Sequence, residues 1–378
     1  MYKNFIAISI LLYILTRLIT LEDKTPLVLS HASALAYWNR STKPTKAETC
    51  SAEECRQILD GTRGAVHVRE LASALDMFPL SVLDRPLDLL TSSRNDRRST
   101  SLATYHCMQT ALPDNSLVRV SCEPEDENVG FDIFLSSPEL CFAQMACVLS
   151  TWELIELGFE MCGGYGSPSS RIGQAQTNAA SSNAIERYPR ISTPERIQEY
   201  IMSCSGMTGG KRARQAAKWL VAQSSSSEET HICMLAFLPR SLGGMGTPRP
   251  LLNQRIAAPD VVARVLGTRT LTPDLYWPDA RVALEYDGRI WNNARAREEY
   301  EKRKHNAYRI MGIEVVSIGR ADLDHSDTIR EQFKRINRRC GKRLKEPNAK
   351  QRARQESLMG WIATREYEQA HVPYVNKR

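Results

Sequence analysis

One short run of residues, LTPDLYWPDARVALEYDG (271–288), constrains the fold of this chain more than any other. Two stretches of strand-forming residues flank the Pro-Asp dipeptide at 278–279, which suits a tight turn. The run therefore predicts a β-hairpin with Asp274 on the first strand, nearly opposite Glu285 on the second. Because side chains alternate along a strand, Glu285 and Asp287 share one face.

The predicted hairpin brings three carboxylates together on one surface. Like charges a few ångströms apart raise each other's pKa values, and a bound divalent cation relieves that cost. Ligands that are all oxygen suit magnesium or manganese, and magnesium beside a phosphodiester can activate water. The alternative is a solvated hairpin whose acids pair with Arg281, Arg289 or Lys302. Spacing alone leaves both interpretations open.

The hairpin and its surroundings resemble the very-short-patch-repair-like branch of the PD-(D/E)xK nuclease superfamily. The resemblance rests on PDLYWPDARVALEYDG, the helix EEYEKRKHNAYRIMG, the strand IEVVSIG, and the upstream segments SSSSEETH and PRPLLNQRI. It covers roughly residues 205–325. It implies a restriction-endonuclease-like mixed sheet flanked by helices, and a metal-dependent endonuclease that hydrolyses DNA with Mg²⁺ or Mn²⁺.

The resemblance also implies which acids would act in catalysis. Asp274 and Glu285 would bind the metal ion, with Glu229 joining them from the preceding helix. Asp287 would be the family's second acid, positioning water or a second metal ion.

Basic residues on the following helix complete the site that the resemblance implies. Lys302 and Arg303 would hold the DNA phosphates. The lysine that orients the attacking water in the superfamily has no counterpart at its usual place, where Asp287 stands. The family's histidine after E-x-D-G is also absent, and the nearest histidine is His305 on the next helix.

The N-terminal half resembles the abortive-infection type IV antitoxin family. The resemblance rests on SHASALAYW, RPLDLL and DIFLSSPELCFAQMA, and it implies an α+β region that binds DNA and is paired with a cognate toxin protein. Apolar spacing from Ala65 to Leu90 predicts helix, and Val66–Leu80 is the best candidate for a helix-turn-helix. The alternative is a helical scaffold with no binding role of its own.

Positive charge is concentrated near the C-terminus. The chain of 378 residues has a formal net charge of +7, and the segment 331–356 alone carries an excess of the same size. Helical spacing places Arg338, Arg339 and Lys342 on one basic face, which suits the phosphate backbone of DNA. The alternative is a solvated helix.

The composition favours a globular, cytoplasmic protein. At 42% hydrophobic and 25% charged residues, the chain is neither disordered nor a polytopic membrane protein. Its 10 cysteines have irregular spacings, which favours reduced thiols over disulfides or zinc knuckles. The apolar run from Phe5 to Leu15 is shorter than a membrane span of roughly 20 residues, so no membrane partner is expected.

These observations predict an α/β protein in three parts: an antitoxin-like α+β region (1–204), an endonuclease-like domain (205–330) and a basic helical extension (331–378). Two functions follow. The first is a magnesium-dependent DNA endonuclease. The second is a non-catalytic DNA-binding regulator, an antitoxin-like repressor whose nuclease domain has degenerated.

Overall fold

The structure, a computed structural model, is an α/β fold with mixed sheets, as the sequence predicts. It describes residues 25–40, 47–62, 71–72, 80, 83–120, 131–165, 190–287, 294–343 and 345–371. The apolar run from Phe5 to Leu15 lies outside these residues, as does most of the helix-turn-helix candidate.

The chain forms two compact units. Unit 1 comprises residues up to Cys141 together with Cys204–Met207, and unit 2 comprises Phe142–Ser203 and the chain from Thr208 onward. The boundaries expected after residues 204 and 330 were drawn from family resemblance and charge, and they stay predictions.

Unit 1 is built on a six-stranded mixed sheet in the order β2-β5-β6-β1-β3-β4. Strands β1 and β6 pair in parallel, as do β3 and β4, while the other pairs are antiparallel. The strands are β1 (Thr25–Leu29), β2 (Ala47–Thr49), β3 (Leu87–Thr91), β4 (Ala103–Cys107), β5 (Leu117–Val120) and β6 (Phe131–Ser136).

Helices α1 (His31–Arg40) and α2 (Ala52–Gly61) accompany this sheet, and α3 (Pro138–Met145) begins in unit 1 and continues into unit 2. Helix α2 begins with a capping box, in which the Ser51 hydroxyl accepts from the backbone of Glu54 and the Glu54 carboxylate accepts from the backbone of Ser51. Helix α3 follows Ser137-Pro138, as the sequence predicts. The Ser137 hydroxyl accepts a hydrogen bond from the backbone N–H of Leu140.

The helical prediction for Ala65–Leu90 is wrong at its C-terminal end. Residues Leu87–Thr91 form strand β3, which pairs with both β1 and β4. Four of its five residues are buried, so the strand packs on both faces of the sheet. A short apolar run of this kind is equally consistent with a helix and with a fully buried strand.

The three N-terminal motifs meet along one edge of this sheet. The backbone N–H of Ser30, which follows β1, donates to the carbonyl of Asp88 at 2.8 Å, and the N–H of Asp88 donates to the Ser33 hydroxyl at 2.8 Å. The indole N–H of Trp38 donates to the carbonyl of Ser136 at the end of β6 (2.9 Å). These motif residues therefore hold the first helix to three neighbouring strands.

Unit 2 contains a four-stranded mixed sheet in the order β12-β11-β10-β7 and a small sheet of β8 and β9. Among the described strands of this unit, β11 and β12 pair in parallel and the other pairs are antiparallel. The strands are β7 (Leu251–Leu252), β8 (Ile256–Ala257), β9 (Thr270–Leu271), β10 (Leu275–Trp277), β11 (Val282–Asp287) and β12 (Glu314–Gly319).

Helices precede, connect and follow the strands of unit 2. They are α4 (Thr151–Cys162), α5 (Pro194–Ser203), α6 (Gly210–Ala217), α7 (Ser227–Phe237), α8 (Asp260–Leu266), α9 (Ala294–Ile310), α10 (Ser326–Arg339) and α11 (Ala349–His371). Helix α5 begins at Pro194, as predicted, with the Thr193 hydroxyl accepting from the N–H of Arg196 at 3.3 Å.

Helix α9 is the crossover between two parallel strands. Parallel neighbours such as β11 and β12 require a connection that returns across the sheet. Ala307 and Tyr308 are fully buried in the core between this helix and the sheet, which fixes the buried face of α9. The residues one turn earlier on that face are therefore directed at β11.

Among the described residues, no helix is both long enough and apolar enough to cross a membrane.

Unit 1 contains a buried histidine whose protonation the fold opposes. His31 stacks on His106 with ring centroids 3.9 Å apart, and the His106 imidazole N–H donates to the Asp88 carboxylate at 2.8 Å. Burial, and next the neighbouring His106, lower the pKa of His31 to about 4, although the charge of Asp88 acts in the opposite direction.

We expect this histidine to make unit 1 sensitive to acid. In the unfolded chain His31 binds a proton below its usual pKa of 6.5, whereas in the folded protein it stays neutral until the pH nears 4. The free energy of unfolding therefore falls as the pH drops towards 4. The loss reaches about 3 kcal/mol. Urea unfolding of His31→Asn at pH 7 and pH 4.5 should show a smaller difference than the wild type. The exposed His305→Asn should retain the wild-type difference, and an unchanged difference in His31→Asn would contradict the prediction.

Candidate active site

The predicted hairpin is present, with its turn at the predicted place. Leu275 pairs with Leu284 and Trp277 with Val282 in antiparallel register. Asp274 directly precedes β10, so this register sets it opposite Glu285 on β11, as the sequence predicts. The two carboxylates consequently lie side by side at the end of the hairpin distant from the turn.

Asp274 is held by the backbone on both sides. Its Oδ2 accepts a hydrogen bond from the N–H of Tyr286 at 2.7 Å, and its own carbonyl accepts from the N–H of Asn253 at 3.1 Å. Burial, and next the charges of Glu285 and Glu229, raise the pKa of Asp274 to about 7, although the hydrogen bond from Tyr286 lowers it. The charged form of Asp274 is therefore disfavoured relative to that of an ordinary aspartate.

Both oxygens of Glu285 are bound by side chains of the crossover helix. Lys304 Nζ donates to Oε2 at 2.7 Å, and the Tyr308 hydroxyl donates to Oε1 at 2.7 Å. Lys304 and Glu285 are each 13% exposed, so this is a largely desolvated ion pair. Although burial opposes its charged form, the carboxylate of Glu285 raises the pKa of Lys304. Burial, and next the charge of Glu285, raise the pKa of Tyr308.

The sequence interpretation overlooked Lys304 as a site residue and chose its neighbours instead. Lys302 and Arg303 lie on α9 with exposed side chains. Lys304 lies four residues before the fully buried Tyr308, and this spacing puts both on the face of α9 that meets the sheet. That spacing is the sequence signal that could have identified it.

Glu229 lies near Asp274, but its carboxylate is also a structural ligand. It stands in the first turn of α7, where its Oε2 accepts from the N–H of Ser225 at 2.8 Å and from Asn253 Nδ2 at 2.5 Å. Asn253 in turn binds the backbone of Asp274. Glu229 therefore fixes the segment that carries Asp274, and its charge contributes to the raised pKa there.

The sequence also singles out Asp287 and His305. The backbone of Asp287 ends β11, paired with Gly319, and its side chain lies outside the described part of the structure. His305 is exposed on α9, with its Nε2 3.4 Å from the Ser317 hydroxyl. Neither position adds a described ligand to the carboxylates.

The predicted basic face lies at the end of helix α10 and in the connection that follows it, and two of its three cations bind groups within the protein. Arg339 Nε lies 3.0 Å from Glu314 Oε2, and Lys342 Nζ donates to the carbonyl of Gly246 at 3.3 Å. Arg338 is exposed and makes no ion pair with the described residues. Helix α10 ends at Arg339 and α11 begins at Ala349, so the segment is not one continuous helix.

The carboxylates form a partial rather than a complete set of metal ligands. Within the described ranges, no group of three or more histidine, cysteine, aspartate or glutamate residues is arranged to hold a metal ion. Mg²⁺ needs fewer, because it is commonly held by one or two carboxylates together with waters and substrate phosphates. Asp274 and Glu285 fit that requirement: burial, and next the charges of Glu285 and Glu229, raise the pKa of Asp274 to about 7, and a cation would offset the cost of placing these carboxylates together.

Comparison with known proteins finds no match: no protein-family model, curated protein or solved structure corresponds to this chain. The geometry of the carboxylates and Lys304 is therefore the evidence on function.

The raised pKa of Asp274 predicts a gain in stability when its charge is removed. A carboxyl group whose folded pKa is about 7, against an ordinary 3.8, costs stability progressively as the pH rises through that interval. Asp274→Asn should therefore raise the free energy of unfolding of the metal-free protein at pH 8, by up to about 4 kcal/mol.

The gain should be smaller at pH 5, where the folded wild type already holds the proton. Urea unfolding in a chelating buffer at both pH values measures it. Asp279→Asn, in the exposed turn of the same hairpin, is the matched control and should show no such dependence on pH. A loss of stability in Asp274→Asn at pH 8 would contradict the prediction.

Proposed function

We propose that this protein is a magnesium-dependent DNA endonuclease whose active site lies at the open end of the 274–287 hairpin. The observation that carries the proposal is the joint arrangement of Asp274, Glu285 and Lys304. Two adjacent carboxylates and one buried ammonium group form the set of side chains that phosphodiester hydrolysis uses for a metal ion and a water. The resemblance to PD-(D/E)xK nucleases supports the same reading.

Asp274 and Glu285 would hold Mg²⁺, or Mn²⁺ in its place. When bound, this ion would supply charge neutralisation at the phosphate and a more acidic water. Asp274 suits this role because the pKa of its carboxyl group is about 7. Near neutral pH the group would lose its proton on binding a cation.

Lys304 would take the part of the superfamily's water-orienting lysine, supplied from helix α9 instead of from strand β11. Its ammonium group is fixed by the 2.7 Å bond to Glu285, so its remaining donors are held in a defined direction beside the carboxylates. A group that positions water in this way contributes roughly 10²–10⁴-fold in rate.

One observation favours the rival function, a DNA-binding regulator without cleavage activity. Both oxygens of Glu285 already bind Lys304 and Tyr308, and a carboxylate satisfied in this way can serve structure alone. In that case the protein, with a toxin partner or without one, would bind DNA and leave it intact.

Cleavage of supercoiled plasmid in Mg²⁺ or Mn²⁺ separates the two functions. The wild type should nick the plasmid, and Asp274→Ala or Glu285→Ala should reduce nicking by at least about 10²-fold, because each removes a ligand of the metal ion. The matched control is Asp279→Ala, in the exposed turn of the hairpin, which should nick as the wild type does. Nicking that persists in both ligand variants refutes the assignment, and DNA binding without nicking in the wild type supports the regulator.

Lys304→Met tests the part assigned to the ammonium group. It should lower the nicking rate by roughly 10²–10⁴-fold while the protein still binds plasmid, because binding does not require an oriented water. Arg309→Met removes an exposed cation from the same helix and should change the rate little. Far-UV circular dichroism confirms that both variants are folded. Equal rates in the two variants would remove Lys304 from the mechanism.

A further inference from the structure

Helix α6, together with Lys218 directly after it, carries a row of cations on its outer face. Lys211, Arg214 and Lys218 follow one another at spacings of three and four residues, so they lie along one side of the helix. The opposite side is buried through Ala213, Ala216 and Ala217. All three cations are exposed, and their side chains make no hydrogen bond or ion pair with the part of the chain that the structure describes.

The basic segment at 331–356 differs in how its charge is used. Lys334 binds the carboxylates of Glu331 and Glu346 at 2.7 and 2.8 Å. Arg335 and Arg339 both bind Glu314. Part of the charge of that segment is therefore paired within the protein, whereas Lys211, Arg214 and Lys218 make no such pair with the described residues.

Hydrogen bonds link the segment that follows the row on α6 to the carboxylates. Beyond the helix, Arg249 donates to the carbonyls of Lys218 (3.1 Å) and Leu220 (2.8 Å), which fixes the chain as it leaves α6. A few residues later the carbonyl of Gln223 accepts from Asn253 Nδ2 at 2.8 Å. The same amide group binds Glu229, so a short, hydrogen-bonded segment leads from the row to the site.

The length of the row matches the repeat of a DNA strand. From Lys211 to Lys218 the helix rises roughly 10 Å, and phosphates of one strand follow at about 3.4 Å per nucleotide along the duplex axis. The row can therefore face about three successive phosphates. A partner with regularly spaced negative charges fits it better than a protein with a few scattered acids.

We infer that the outer face of α6, through Lys211, Arg214 and Lys218, binds the phosphate backbone of duplex DNA beside the cluster of Asp274, Glu285 and Glu229. This inference rests on the proposed nuclease function, because it takes DNA as the substrate. It assigns the main contact with the backbone to α6 and not to the C-terminal basic segment.

Binding of a fluorescent 20-base-pair duplex, measured by anisotropy across a salt series, tests the inference. The experiment uses full-length protein in a metal-free buffer, so cleavage does not affect it. The variant Lys211→Gln/Arg214→Gln/Lys218→Gln is compared with Arg338→Gln/Arg343→Gln/Lys350→Gln, which removes the same charge from exposed positions of the C-terminal segment. Thermal unfolding verifies that both are folded.

The α6 variant should bind at least about tenfold more weakly near 0.1 M salt, and the slope of log affinity against log salt should fall by about 2 to 3. The C-terminal variant should lose less than about threefold. An equal or larger loss in the C-terminal variant overturns the inference, as does unchanged binding in the α6 variant. Tighter binding of a single-stranded RNA of the same length would overturn the assignment of duplex DNA.

Failure of this inference is distinguishable from failure of the proposed function. Nicking that depends on Asp274 while the α6 variant binds normally would retain the nuclease and reject only the surface. Salt-dependent binding through α6 without nicking would retain the surface and support the regulator.

Discussion

The desolvated pair between Glu285 and Lys304 is the interaction on which the site depends. The hairpin register sets Asp274 and Glu285 side by side. Two neighbouring carboxylates in a partly buried place cost free energy unless hydrogen bonds or an opposite charge stabilise one of them. Lys304 and Tyr308, one turn apart on α9, bind both oxygens of Glu285. The parallel pairing of β11 with β12 requires a crossover connection, here helix α9. The same connection therefore carries Lys304 and Tyr308 to Glu285.

The two carboxylates are stabilised unequally, and the difference contributes to the raised pKa of Asp274. Glu285 receives an ammonium and a hydroxyl, whereas Asp274 receives one backbone N–H and faces the charges of two neighbouring acids. Burial, and next the charges of those acids, raise the pKa of Asp274 to about 7. A cation would relieve this cost, because it would offset the negative charge that the surroundings otherwise favour neutralising with a proton.

The hairpin and its register could be predicted from sequence because they depend on local signals, namely a turn dipeptide and alternating strand residues. The same holds for the helix starts at Pro138 and Pro194, which follow capping residues. Strand β3 was missed because its buried run of apolar residues does not distinguish strand from helix. Lys304 was missed because its role depends on which face of α9 meets the sheet. Asp274 and Glu285 were found because both lie within one hairpin.

The basic segment shows a further limit of composition as a guide to partners. A formal excess of +7 is visible in the sequence, but the acid that binds Arg335 and Arg339 is Glu314 on strand β12, far enough along the chain to escape a local count. What a polyanion meets is the charge that remains after such pairing. The three cations opposite the alanine-lined buried face of α6 meet that criterion in full, because they make no ion pair with the described residues.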